Sequence, residues 1–317
     1  MAKVDGLNGL FTSKNSADVL DFYTRFKDAN ALIKWSRSRP HGRAKIYEVH
    51  GRKDVIVVIP TADRFGKMAK DCEETFRGQQ IIFVESGGLG DQYFNYSRNC
   101  NVGMKYALKY KPKWIVVSGD DVYKIDSLDI LRDGLKKLDG KRIDAVFIDP
   151  RPDYYHSYPS SIVKIRNWTM YMAYRHLRRL PYLEIDRFMR KFDSKYVLYD
   201  LNDRGSKGSI RTILMKMIFK KIDDLFTVGD FCVFSLDFVK GSGGKVFDET
   251  YINGGEDCDL SVLIRKSKRY AQINFRIGSK NGGGNSLGKG DARGARGYRD
   301  LFAFIYFNSK CPKYLKS

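Results

Sequence analysis

Between Asp54 and Val122 the chain presents three apolar runs rich in β-branched residues: "DVIVVIPT" (Asp54–Thr61), "QIIFVES" (Gln80–Ser86) and "KWIVVSGDDV" (Lys113–Val122). Such near-continuous apolarity, with no polar alternate face, predicts strands buried on both sides, as in a parallel sheet covered by helices. Between the runs lie "RFGKMAKDCEETFRG" and "SRNCNVGMKYALKYK", both with helical spacing. Strand, helix, strand, helix, strand implies right-handed βαβ units, so the expected fold class is α/β, with a mostly parallel sheet flanked by helices. Ligands of such sheets bind beyond the carboxyl ends of the strands. Here all three ends carry small or acidic residues: "PTADR", "ESGG" and "SGDD".

Four regions follow from changes of texture. Residues 1–50 read as a helical appendage, with Ser16 or Asp18 capping "ADVLDFYTRFKDANALIKW" and "SRSRPHGR" ending it. Residues 51–150 hold the three runs, then a helix in "SLDILRDGLKKLDG" and a strand in "DAVFIDP". Residues 151–228 are basic and aromatic and read as a helical insertion. Residues 229–317 open on a strand-like "DFCVFSLDFV", pass through "FDETYINGGEDCDLSVLIRKSKRY" and a glycine-rich stretch, and end on the amphipathic "YRDLFAFIYFNSK".

Composition narrows the function classes. A net charge of +20 attracts polyanions, whether nucleic acid, acidic lipid or phosphorylated small molecules. The five cysteines are scattered without a C-x-x-C pair, which signals neither a disulfide framework nor a zinc site and suits a reducing, cytoplasmic setting. No apolar run approaches the length of a membrane span, and the first residues lack the apolar core of a secretory signal. His41, His50, His156 and His176 show no metal-ligand spacing. A nucleophile elbow and a P-loop are both missing, which disfavours an α/β-hydrolase and a P-loop NTPase.

Three groups of acids remain. Asp120 and Asp121 close a buried-type strand, where carboxylates either hold a divalent cation or cap the next helix; hard oxygen ligands suit Mg²⁺ or Mn²⁺. Glu85 ends the neighbouring strand, where a carboxylate either accepts hydrogen bonds from a ribose or base, with Gly87 and Gly88 permitting close backbone approach, or is an ordinary surface loop acid. Glu256, Asp257 and Asp259 stand at the start of a helical pattern, where the dipole favours negative charge. Dipole stabilisation accounts for acids there but not for Gly254 and Gly255 before them; a general base near an acceptor hydroxyl accounts for both.

In this order the pieces resemble the GT-A glycosyltransferases, most closely the family-2 inverting enzymes that use nucleotide-sugar donors. The match runs from "VIVVIPT" through "FVES", "SRNCNVGMKYAL" and "WIVVSGDDV", and resumes at "VGDFCVFSLDFV" and "GGKVFDETYINGGEDCDLSVLIRKSKRY". The resemblance implies a Rossmann-like nucleotide-diphospho-sugar transferase sheet. It implies that Pro60 and Thr61 line the nucleotide pocket, that Glu85 meets base or ribose, and that Arg98 and Asn99 stand beside the donor. "GDD" at Gly119–Asp121 falls where the family has its D-x-D metal motif, so Asp121 is the expected ligand of Mg²⁺ or Mn²⁺ and Asp120 a supporting one. Asp257 matches the catalytic aspartate, with Glu256 contacting a sugar. The downstream metal-binding His of many members has no counterpart in "IGSKNGGGNS", where Lys280 is a candidate to neutralise diphosphate instead.

The implied partners are a UDP-, GDP- or dTDP-sugar and a glycan, lipid-linked or protein acceptor. The basic insertion and "LFAFIYF" combine apolar and cationic residues as interfacial helices do, so an anionic membrane surface is a further expected partner, met from the cytoplasmic side; a basic helical lid packed on the sheet explains the same pattern. Two rivals stand beside the transferase. A nucleic-acid-binding module draws on the charge but leaves the acids at the strand ends unexplained, and a sugar nucleotidyltransferase would need an Arg-containing glycine-rich loop after the first strand.

Overall fold

The computed structural model describes residues 2–86, 93–148, 154–159, 187–194, 196–200, 224–226, 231–252, 254–279 and 291–310. Its labelled elements are α1 (Ala2–Thr12), α2 (Ser16–Thr24), α3 (Ala29–Ser38), β1 (Ala44–Val49), β2 (Arg52–Thr61), α4 (Lys67–Thr75), β3 (Gln79–Ser86), α5 (Tyr96–Ala107), β4 (Trp114–Ser118), β5 (Val122–Lys124), α6 (Leu128–Lys136) and β6 (Ala145–Ile148). There follow β7 (Tyr154–Pro159), β8 (Tyr196–Asp200), β9 (Asp224–Phe226), β10 (Phe231–Ser235), α7 (Leu236–Gly241), α8 (Glu256–Ser267), β11 (Tyr270–Ile273), β12 (Ile277–Ser279) and α9 (Asp291–Lys310).

The three apolar runs become β2, β3 and β4, neighbours in a seven-stranded sheet of order β1-β3-β2-β4-β10-β6-β11. β3, β2 and β4 are mutually parallel, and β11 is parallel to β6. β1 and β10 run against their neighbours, so the sheet is mixed rather than uniformly parallel. The period of two along β2 shows why Val55 to Ile59 are all apolar. Val55, Val57 and Ile59 pack with Ala69 and Cys72 of α4, with Phe76 just past its end and with Leu131 and Leu135 of α6, whereas Ile56 and Val58 pack with Cys100, Met104 and Ala107 of α5. Each such fully buried side chain stabilises by about 1.5–3 kcal/mol. Gly103 lets α5 lie flat on the sheet, since a Cβ there would fall 2.3 Å from Val58 Cγ1.

A third core is helical. Phe11, Phe22, Trp35, Phe188, Tyr251 and Phe302 are among its buried members, joining α1, α2, α3, the stretch 187–192 and α9. The expected membrane-facing role of "LFAFIYF" is corrected here: Leu301, Phe302, Ile305, Tyr306 and Phe307 are each at most 2% exposed, so protein already covers the face a lipid surface would need. Among the described residues no helix is long and apolar enough to cross a membrane.

Three other local expectations change. The single helix expected after Ser16 is two, capped by Asn15 and Asp28, because the Asp28 carboxylate captures the Ala31 amide at 2.8 Å and starts a new helix. Residues 44–49 form edge strand β1, so the first fifty residues supply part of the sheet. The insertion expected to be helical contains a three-stranded antiparallel sheet, β8-β7-β9, in its described residues. Tyr-rich "YYHSYP" and "YVLYD" favour strands through their aromatic and β-branched side chains. Most of 151–228 lies outside the described residues.

Candidate functional site

The parallel crossovers place the ends of β2, β3 and β4 at one edge, and the first turn of α5 lies there too because the chain enters it from β3. Thr61 is the last residue of β2 and pairs with Glu85 in the β2–β3 ladder. Pro60, buried beside it, lies past Val58–Val117, where the β2–β4 ladder ends. Glu85 Oε2 accepts from the Arg64 amide at 2.9 Å. The Arg64 guanidinium in turn pairs with Glu73 at 2.6 Å and stacks 4.0 Å from the Phe83 ring centroid.

Asp120 and Asp121 follow β4 directly. Thr61 Oγ1 donates to Asp120 Oδ2 at 2.7 Å. Burial pushes the Asp120 carboxyl above its ordinary value, the Thr61 bond pulls it down, and the neighbouring Asp121 charge raises it again. Asp121 is buried at 8% exposure, and its Oδ2 accepts from Ser279 Oγ at 2.7 Å. The β5–β12 pairing makes that contact possible, since Val122 stands opposite Ser279. Among the described residues no group of three or more His, Cys, Asp or Glu side chains is placed to hold a metal ion. Mg²⁺ commonly takes one or two protein carboxylates and completes its shell with water and phosphate oxygens. Asp120 and Asp121, flanked by the hydroxyls of Thr61 and Ser279, therefore fit such a cation as hard oxygen donors. Lys280 lies outside the described residues.

Glu256 and Asp257 open α8, and the segment before them is fastened to α5. The Asn101 side chain pairs with both backbone groups of Phe247, accepting from its N–H at 3.0 Å and donating to its carbonyl at 2.8 Å. Asn95 Nδ2 donates to the Glu249 carbonyl at 2.8 Å, and the Tyr96 amide donates to the Ile252 carbonyl at 3.0 Å. Gly254 and Gly255 then turn with φ of +116° and +85°, conformations that side-chain-bearing residues rarely adopt. A Cβ on Gly255 would stand 2.8 Å from Ala303 Cβ and 3.1 Å from the Tyr251 ring. The Gly-Gly pair, expected to admit a substrate, instead admits α9.

Glu256 is 7% exposed, and its Oε2 accepts from the Gly254 amide at 2.7 Å. Burial, reinforced by the Asp257 charge, pushes its carboxyl up to about 7, while Arg296 of α9 works the other way. Asp257 is half-buried. Its charge also reaches Cys232, whose thiol is raised first by burial. Cys232 pairs with Val117, so α8 begins near the end of β4. Asp259 is turned elsewhere, its Oδ2 bound by Lys310 at 2.6 Å.

The two α5 residues differ in placement. Arg98 Nη1 donates to the Gly42 carbonyl at 3.0 Å, which commits its guanidinium to the loop before β1. Asn99 is 3% exposed, and its Nδ2 has no hydrogen-bond partner among the described residues; the same holds for Ser97 Oγ and Ser86 Oγ at that edge. A buried polar atom left unpaired costs about 1–3 kcal/mol, so three together mark a place where a ligand or water completes the bonding. Sequence reasoning missed Ser86, Ser97, Ser279 and Arg296. Ser86, Ser97 and Ser279 each left a signal, standing in the strand end "ESGG", in "SRNCNVGMKYAL" and in the stretch where a metal-binding His was sought.

No protein-family model matches this chain, and no curated protein matches it.

Proposed function

We propose that the chain is a glycosyltransferase of the GT-A type, moving a sugar from a nucleoside-diphosphate donor to an acceptor hydroxyl with inversion. The observation that carries the reading is the joint fixing of Asp120 by Thr61 and Asp121 by Ser279, at the same sheet edge where Glu256 and Asp257 open α8. Asp257 takes the acceptor proton; the oxygen attacks the anomeric carbon as the bond to diphosphate breaks, and that electron pair leaves with the nucleoside diphosphate. Glu256, held near 7 by burial, carries less negative charge at neutral pH than an ordinary glutamate, so less like charge stands beside Asp257. Mg²⁺ or Mn²⁺ bound by Asp120 and Asp121 would supply counter-charge to the diphosphate. Asn99 Nδ2, Ser97 and Ser86 are buried donors available to the donor nucleotide.

Calorimetric titration with UDP, GDP and dTDP, each with and without Mn²⁺, tests the reading. Saturable binding of one nucleotide, lost in Asp121→Ala, supports it. Absence of binding to all three, together with salt-dependent binding to DNA or RNA, would replace it with the nucleic-acid reading.

A further inference from the structure

The last turn of α9 carries an ammonium between two carboxylates, one buried and one half-buried. Lys310 Nζ lies 2.7 Å from Asp248 Oδ2 and 2.6 Å from Asp259 Oδ2. Tyr306 Oη donates to the same Asp248 oxygen at 2.7 Å. Asp259 is 2% exposed, and its Oδ1 has no partner among the described residues. The ammonium also lies 5.7 Å from the Tyr251 ring and 5.3 Å from the Tyr306 ring.

The two carboxylates stand on opposite sides of the acid turn. Asp248 belongs to the segment that runs into Gly254 and Gly255, and Asp259 to the first turn of α8 just past Glu256 and Asp257. One cation therefore closes a bracket around the residues that present both acids. The same helix seals the turn from behind, since its Ala303, together with Tyr251 of the preceding segment, fills the space a Cβ on Gly255 would need. We propose that Lys310 is a positioning residue for the Glu256–Asp257 pair, acting through the Asp248–Asp259 bracket rather than by touching substrate.

The inference rests on the transferase reading for its effect on rate, but not for its effect on the turn. Without the ammonium, the buried Asp259 and the half-buried Asp248 face each other as like charges, and the bracket opens. A displacement of about 1 Å in a reacting group costs about 10²-fold in rate. Among the described residues, the groups that act on Glu256 include the Asp257 carboxylate, the Arg296 guanidinium, the Gly254 amide and the Cys100 thiol, and Lys310 makes no hydrogen bond or ion pair to these.

The test compares the full chain with Lys310→Met, Lys310→Arg and Tyr306→Phe. Two readouts need no turnover: carboxyl-labelled glutamate NMR for the Glu256 titration, and amide exchange at Gly254–Glu256 against exchange in β2. Lys310→Met is expected to speed exchange at the turn selectively and move the Glu256 midpoint from about 7 towards the ordinary value of 4.5. Transfer is expected to fall about 10²-fold in kcat with the donor KM retained. Lys310→Arg keeps the charge and is expected to recover part of the rate. Unchanged turn exchange and an unchanged Glu256 midpoint in Lys310→Met would overturn the proposal. Should that variant lose its cooperative melt, Tyr306→Phe, which removes one donor to Asp248 and keeps the ammonium, decides instead, and wild-type turn exchange in it would overturn the proposal. Wild-type protein that transfers no sugar would sink the transferase reading and leave the bracket to be judged by exchange and NMR.

Discussion

Ser279 Oγ donates a 2.7 Å hydrogen bond to Asp121 Oδ2 across 158 positions of sequence. The bond joins the turn after β4 to strand β12 and satisfies a carboxylate that is 8% exposed. Ser279→Ala removes the donor but leaves the carboxylate buried, which is expected to destabilise by about 1–3 kcal/mol. Thermal melting measures that loss, and calorimetry is expected to show weaker metal-dependent nucleotide binding. Unaltered melting and binding together would detach Ser279 from the site.

Asp257→Asn keeps the shape of the side chain and removes its basicity. Transfer is expected to fall by about 10²–10⁴-fold, the usual contribution of a general base, while nucleotide affinity measured by calorimetry holds. Parallel loss of both would make Asp257 a structural residue.

Glu256 gives stability a pH dependence of known sign. Its folded value of about 7 lies above the ordinary 4.5, so the folded state holds a proton that the unfolded chain releases between those two pH values. Stability is therefore expected to fall as pH rises from about 4.5 to 7 and to level off above, by about 3 kcal/mol over the interval. Asp248, held down to about 2 by Lys310 and Tyr306 against the effect of burial, acts in the opposite sense but only below its ordinary 3.8. The two windows separate cleanly. Glu256→Gln is expected to flatten the melting temperature between pH 5 and 7, and an unchanged slope in that variant would place the effect on another group.

Gly255→Ala combines a φ of +85° with a Cβ 2.8 Å from Ala303 Cβ. Strain and overpacking together are expected to cost about 2–4 kcal/mol. Adding Ala303→Gly relieves the contact and not the backbone strain, so denaturant titration of the double variant is expected to recover only part of the loss. Full recovery would mean that the left-handed conformation contributes nothing.

The parallel core was legible because its signal is local. Val55 to Ile59 are apolar on both faces, the intervening segments have helical spacing, and both properties survive in any window of the chain. Thr61, Glu85, Asp120 and Asp121 could be singled out for the same reason, since a strand end advertises itself by an abrupt change from apolar to small or acidic residues. Amphipathicity is less informative: "LFAFIYF" announces that one face will be covered, and burying it against α2 and α3 or against lipid satisfies the pattern equally.

What the sequence by itself determined is the order of strands and helices in the parallel half and the edge at which its acids gather, because strand burial and helical spacing are written in neighbouring residues. Tertiary structure alone decided that Asn101 would hold Phe247, that Ser279 would reach Asp121, and that Gly255 would make room for Ala303 rather than for a substrate. Each is a contact of one or a few atoms between distant segments. Its energy depends on distances of a few tenths of an ångström, and no local pattern encodes those until the chain has closed.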